Sequence, residues 1–147
     1  MKTLTVRQPW AWAIARGHKL IENRPRLTNH RGPLAIHSGL TPDDRGDDAL
    51  RFVRDTIRAQ GGTYPARLAD DAPYCNGGLV LATVDLVDVC IKALDGASCD
   101  CGPWAMPGSA HWRLANVQAL ADPFPARGHL HLWDCDMPAL AASGGAR

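Results

Sequence analysis

Lys19, Glu22 and Asp85 are the side chains in this 147-residue sequence best suited to proton transfer or attack on a carbonyl. A lysine and two carboxylates act as base, acid and charge stabiliser once burial or a neighbouring charge moves their pKa values into a working range. Lys19 and Glu22 stand three residues apart in the run Gly17-His-Lys-Leu-Ile-Glu-Asn-Arg24. Asp85 lies in Leu79–Cys90, LVLATVDLVDVC, on a strand face shared with Leu81, Thr83, Val87 and Val89. A carboxylate on such a face must be paired or shifted in pKa, and a buried Lys19–Asp85 ion pair would meet the same demand without chemistry. In a regular strand Lys19 and Glu22 point to opposite faces. A shared site therefore requires the chain after Gly17 to be still turning as it passes Lys19.

Other residues suit the binding of an anion or a base. Arg7 precedes a helix opening at Pro9, whose first N–H groups are suited to receiving a phosphate. Lys19, Arg24 and Arg31 add donors near the same mouth, the arginines with a fork that grips phosphate bidentately. Trp10 and Trp12 point about 200° apart on a helix, so at most one of them packs in the core. Trp10 shares the Ile14 face and reads as core, which leaves Trp12 as the base-stacking candidate.

The charge distribution agrees with an anionic partner. The formal net charge is only +1, which taken alone argues against nucleic acid. Residues 1–37 nevertheless hold seven Lys/Arg against the single acid Glu22, a net of +6. The remaining 110 residues carry nine Lys/Arg against 14 Asp/Glu, a net of −5. Such asymmetry points to a polyanion or an anionic ligand at the basic part, unless those residues pair with the later acids.

Five cysteines, Cys75, Cys90, Cys99, Cys101 and Cys135, make an odd count behind an N-terminus without an apolar signal segment. Reduced thiols in a cytoplasmic setting are the expectation. Cys99-Asp-Cys101 resembles half a metal knuckle, but one intervening residue is fewer than zinc motifs use, and no second pair follows at a finger-like interval. His111 and the His129-x-His131 pair, placed on one strand face, complete a site only on paper. No metal and no cofactor are expected. No apolar run approaches the ~18 residues of a membrane helix.

The elements that must position these residues follow from pattern. Leu4–Val6, Lys19–Arg24, Pro33–His37, Leu79–Cys90, Trp112–Leu120 and His129–Trp133 read as strands. Pro9–Arg16 reads as a short helix closed by Gly17. A second helix is predicted from Thr41 as N-cap and Pro42 at the first position to Gly61-Gly62, with Leu50, Val53 and Ile57 as its apolar stripe. Residues 92–108 form an irregular insertion, and the small-residue tail 139–147 is expected to fray. The result is one domain, 1–147, of α+β or mostly β class: a small, mostly antiparallel barrel of about six strands with two helices at its ends.

The order of several blocks resembles the ASCH domain family. Arg7-Gln8-Pro9-Trp10-Ala11 is similar to its opening strand-to-helix motif, and Gly17–Arg24 to its G-x-K-x-x-E-x-R signature. His30–His37, Gly78–Val80, Val84–Asp88, Trp112, Pro125–Gly128 and Leu132-Trp133 are similar to later blocks, so the resemblance spans about residues 4–134. It implies a PUA-like β-barrel with the signature residues lining a cleft for RNA, single-stranded nucleic acid or a nucleoside. The binding set expected from it is Arg7, Gln8, Trp12, Lys19, Glu22, Arg24, Arg31 and His37. Some members of the family are amidohydrolases acting on acylated cytidine, through a signature Lys, a Thr three residues later and an acid on the long strand; others are described as ribonucleases. Lys19 matches the first of these and Asp85 the third, while Glu22 replaces the Thr. A protein-interaction module using exposed Trp anchors is the remaining alternative, and it would show a large apolar patch instead of a basic cleft.

Overall fold

The protein is described here from a computed structural model covering residues 1–139. Six strands, β1 (Lys2–Val6), β2 (Ile21–Arg24), β3 (Gly32–Ser38), β4 (Leu79–Cys90), β5 (Ala110–Pro125) and β6 (Leu132–Asp134), form one sheet in the order β2-β5-β4-β3-β1-β6. Every neighbouring pair is antiparallel except β1 and β3, which run parallel. The long β4–β5 ladder shifts register three times. Such bulges increase local twist, and the sheet curls into a half-barrel consistent with the PUA-like class. Helices α1 (Trp10–Ala15) and α2 (Asp47–Ala59) complete the α+β fold.

Ala82, Val84 and Leu86 of β4 alternate inward and meet Leu4, Leu34, Ile36, Trp112 and Leu114 across the sheet, while Val80 packs with Ala35, Leu120 and Cys135 in a smaller cluster. Ala11, Ile14 and Ala15 of α1 close that core from the concave side. The opposite face of α1 presents Trp12 and Ala13 to Val53 and Ile57 of α2 and to Trp104 of the insertion. A helix covered on both sides is apolar nearly all round, which is why Ala11–Ala15 are all buried.

Three sequence expectations need correction. α2 starts at Asp47 after Gly46, not at Thr41. The Asp43 carboxylate accepts the backbone N–H of Arg45 at 2.9 Å, and the Asp43 N–H donates to the Gln8 carbonyl at 2.8 Å. The Thr-Pro-Asp signal thus builds an aspartate turn pinned to the start of α1 instead of a helix cap. β6 is shorter than the predicted strand: His131 adopts φ 59°, so His129 and His131 lie in a loop and share no strand face. β5, in contrast, extends beyond Leu120 through Pro123 to Pro125. All but the first residue of the predicted frayed tail falls outside the described residues.

Candidate functional site

The site begins where α1 ends. Gly17 takes φ 77°, a left-handed conformation open to glycine, and the N–H groups of His18 and Lys19 both donate to the Ala13 carbonyl. β2 starts only at Ile21, so Lys19 sits in the turn and its side chain swings to the side that Glu22 faces. Lys19 Nζ donates to Glu22 Oε1 at 2.6 Å and to the Ile21 carbonyl at 2.5 Å. Arg24, two residues along the same strand face, reaches Glu22 Oε2 through Nη2 at 2.8 Å. Its Nη2 also donates to the Thr5 carbonyl at 2.8 Å, just past the last β1 residue paired with β6. Arg24 therefore ties the β2 edge to the stretch of β1 that β6 leaves uncovered.

Lys19 is 2% exposed and Glu22 6%. Burial alone would raise the Glu22 pKa, but Lys19 and Arg24 outweigh it and hold the carboxyl below its ordinary range. Burial draws the Lys19 ammonium below its ordinary value against the pull of Glu22. The arrangement is an ionised carboxylate between two cations, with one Lys19 N–H unspent by the two bonds above.

This triad forms part of a cavity of about 410 Å³. Arg7, Trp10, Arg45, Trp104, Met106 and the loop 129–131 make up most of the remaining wall. Trp10 is held as a plate: its Nε1 donates to Asp43 at 2.8 Å, Phe52 meets it edge-on, and the Arg45 guanidinium lies 5.3 Å from its ring. Arg45 in turn holds the Asp43 carboxyl well below the usual carboxylate range. Asn23 ties in the insertion, donating to the Trp104 carbonyl at 2.9 Å and accepting the Met106 N–H at 2.7 Å. A second groove, about 770 Å³, shares Thr5, Arg7, His129 and Leu130 with the first and adds His37 and Arg127. Arg7 stands at the junction, exposed, with no side-chain partner among the described residues.

Other expected residues lie elsewhere. Trp12 is 2% exposed, packs in the α1–α2 core and donates to Asp71 at 2.7 Å, so the tryptophan of α1 that lines the cavity is Trp10 instead. Gln8 is buried: its Oε1 accepts the Trp12 N–H while its Nε2 donates to the Tyr74 and Asn76 carbonyls. Ala11 and Ala13 donate to the Arg7 and Pro9 carbonyls and Trp12 to Gln8, so most of the N–H groups expected to greet a phosphate at the start of α1 are already engaged. Arg31 donates to the Thr28 and His30 carbonyls and lines neither cavity. Asp85 faces away from the inward Val84 and Leu86, accepting from Asn116 Nδ2 at 2.7 Å where β5 bulges, and is not part of the Lys19 cavity. His37 is buried beside the second groove. Its Nε2–H donates to the Ala126 carbonyl at 2.7 Å, leaving Nδ1 to accept from the Thr5 hydroxyl at 3.1 Å. Burial lowers the His37 pKa.

Among the basic N-terminal residues, Arg16 pairs with Asp71 and Lys2 with Asp134, so part of the +6 is neutralised by the later acids. Asp43, Arg45, Trp104, Met106 and Leu130 carried no sequence signal for the site. They come from separate loops that only the folded sheet brings to one rim.

A curled mixed sheet with a basic, tryptophan-walled cavity at its open seam places the molecule among small PUA-like half-barrels. The ASCH domain model matches residues 4–124, and the chain belongs to the ASCH domain family. It is 28% identical over 134 residues to activating signal cointegrator 1 of Mus musculus, and 27% identical over the same length to that of Homo sapiens. Each alignment covers 90% of this chain but 22% of the relative, so the chain spans about a fifth of the length of these curated relatives.

Proposed function

We propose that the cavity receives one base or nucleoside of RNA or single-stranded nucleic acid, while the adjoining groove carries the neighbouring backbone. The observation that carries this reading is the Lys19–Glu22–Arg24 triad set in a cavity of about 410 Å³, with the Trp10 plate and the unpartnered Arg7 at its mouth. That volume lies within the usual range for small-ligand sites, about 300–1,000 Å³. Trp10 offers a stacking face, worth ~1–3 kcal/mol per base where such contacts form. The free Lys19 N–H suits a base carbonyl, and Arg7 suits the phosphate that follows. Membership of the ASCH family, whose members generally bind RNA, supports the same partner class.

Hydrolysis of an acylated cytidine or of RNA is the second reading, favoured by the lowered pKa of Lys19 inside the cavity. It rests on Lys19 and Glu22 alone, because Asp85 lies on the other side of the sheet. The interaction-module reading lacks its anchors: all five tryptophans are buried or half-buried.

A titration screen of short RNA, single-stranded DNA and free nucleosides at two salt concentrations tests the proposal. Binding that weakens with salt, and falls roughly 5- to 150-fold in Trp10→Ala, is expected. Saturable binding indifferent to both Trp10→Ala and Arg7→Ala would overturn it. Turnover of acylated cytidine lost in Lys19→Gln, with binding retained, would move the assignment to the hydrolase.

A further inference from the structure

We propose that Cys90, Cys99, Cys101 and His111 form a closed four-ligand site for a single zinc ion. The four ligand atoms lie within 4.8 Å of one another. Tetrahedral zinc, with Zn–S about 2.3 Å and Zn–N about 2.0–2.1 Å, places its ligand atoms roughly 3.5–3.8 Å apart, so a small contraction would close the set on one ion. Three thiolates and an imidazole form one of the standard structural zinc sets, and such soft donors do not select magnesium or calcium.

The ladder explains how these residues meet. Cys90 is the last residue of β4 and is paired directly with His111 near the start of β5. The insertion between them folds back and delivers Cys99 and Cys101 to the same point. The spacing C-x8-C-x-C-x9-H resembles no finger because a β-ladder, instead of a knuckle turn, joins the first ligand to the last.

The surroundings fit a metal centre. His111 is 1% exposed, and its Nε2–H donates to the Met106 carbonyl at 2.6 Å. A carbonyl can only accept, so the tautomer is fixed and Nδ1 presents its lone pair to the sulfurs, 3.3 Å from Cys99 Sγ. Three thiolates around a divalent ion leave a net charge of −1. Arg113 opposes it, with Nη2 3.2 Å from Cys101 Sγ. Its Nη2 also pairs with Asp100 at 3.3 Å, and its Nε is the one buried side-chain nitrogen or oxygen without a partner among the described residues. The three cysteines are half-buried, which leaves the ion a path of entry.

The ion would staple the insertion to the sheet. Met106, whose carbonyl orients His111, and Trp104, bonded to Asn23 beside it, both line the Lys19 cavity. The site itself does not depend on what that cavity binds.

The test is metal analysis of the full chain purified under reducing conditions, followed by chelation and reconstitution with zinc or cobalt. We expect about one zinc per chain, and a cobalt derivative with thiolate charge-transfer and tetrahedral d–d bands. Chelation should accelerate proteolysis within residues 91–109, and zinc but not magnesium should reverse this. Cys99→Ser and His111→Ala should lose the metal, whereas Cys75→Ser and Cys135→Ser should keep it. Should the ligand variants fail to fold, cobalt titration of the chelated wild type decides the matter alone. A purified chain with under a tenth of an equivalent of zinc that also develops no cobalt–thiolate absorption would overturn the proposal. So would a cluster containing iron and labile sulfide, or full metal occupancy in Cys99→Ser.

Discussion

The Glu22 carboxylate accepts the Lys19 ammonium at 2.6 Å in a setting where both side chains are almost shut off from water. Removing one charge leaves the other buried beside a weakened partner set. Lys19→Met should cost about 3–5 kcal/mol by chemical denaturation, and the double variant Lys19→Met/Glu22→Leu should recover part of the loss. A single variant as stable as wild type would show the pair to be strongly hydrated in solution.

Acid should weaken the fold in two windows. The His37 pKa is lowered by burial, so between its folded value and the unfolded ~6.5 the unfolded chain binds more protons and stability falls as pH falls. His18 is lowered for the same main reason and adds to this slope. His37→Asn should flatten the dependence below about pH 6.5 without abolishing it. The second window belongs to Glu22: its pKa is held down by Lys19 and Arg24 against burial, so its contribution is full above ~4.3 and is lost as pH drops towards the folded value. Denaturation midpoints across pH 3–8 measure both.

The two helix tryptophans should separate cleanly. Trp12→Ala empties a core position and should cost about 3–5 kcal/mol of stability. Trp10→Ala should cost less, since Trp10 is only half-buried, and should act mainly on ligand binding. Thermal melts paired with titrations distinguish them.

Arg7→Ala and Arg31→Ala form a matched pair on the surface. Arg7 stands between the two cavities while Arg31 bonds only backbone carbonyls of its own loop. Losing Arg7 should weaken nucleic-acid binding and reduce the log–log salt slope by about 1. Losing Arg31 should leave both unchanged.

Gly128 approaches His37 so closely that an added Cβ would lie 2.8 Å from its Cε1 and 3.0 Å from Thr5 Oγ1. Gly128→Ala should destabilise by roughly 1–3 kcal/mol, read from a denaturant midpoint, as the histidine is forced from its place between Thr5 and Ala126.

Much of the architecture could be read from local pattern. The Val- and Leu-rich run Leu79–Cys90, apolar on both faces, yields β4 with the expected bounds, and the order of the family blocks anticipates the half-barrel. The losses are physical ones. Trp12 is the freer tryptophan only if α1 has an exposed side, whereas tertiary packing covers both. Asp85 shares its face with Thr83 and Val87 as alternation expects, but that face lies away from the Lys19 cavity, and the Asn116 side chain gives the carboxylate its partner there. Thr41-Pro42-Asp43 carries a helix-start signal, yet the same aspartate serves a turn equally well and also holds Trp10 and Arg45. The Cys90–His111 pairing depends on register across an insertion, which no local spacing encodes.

The pairing of β1 with β6 sets an order of assembly on the ribosome. The first strand emerges well over a hundred residues ahead of the neighbour that covers its outer edge, where Leu4 opposes Leu132 and the Cys135 N–H donates to the Met1 carbonyl. Until then the nascent sheet offers an unpaired ladder, the kind of edge that recruits other chains. Loop 129–131 is made in the same final stretch. The newborn domain therefore exposes its Lys19 mouth and its outer β1 edge together, until residues 129–134 supply the loop for the one and the strand for the other.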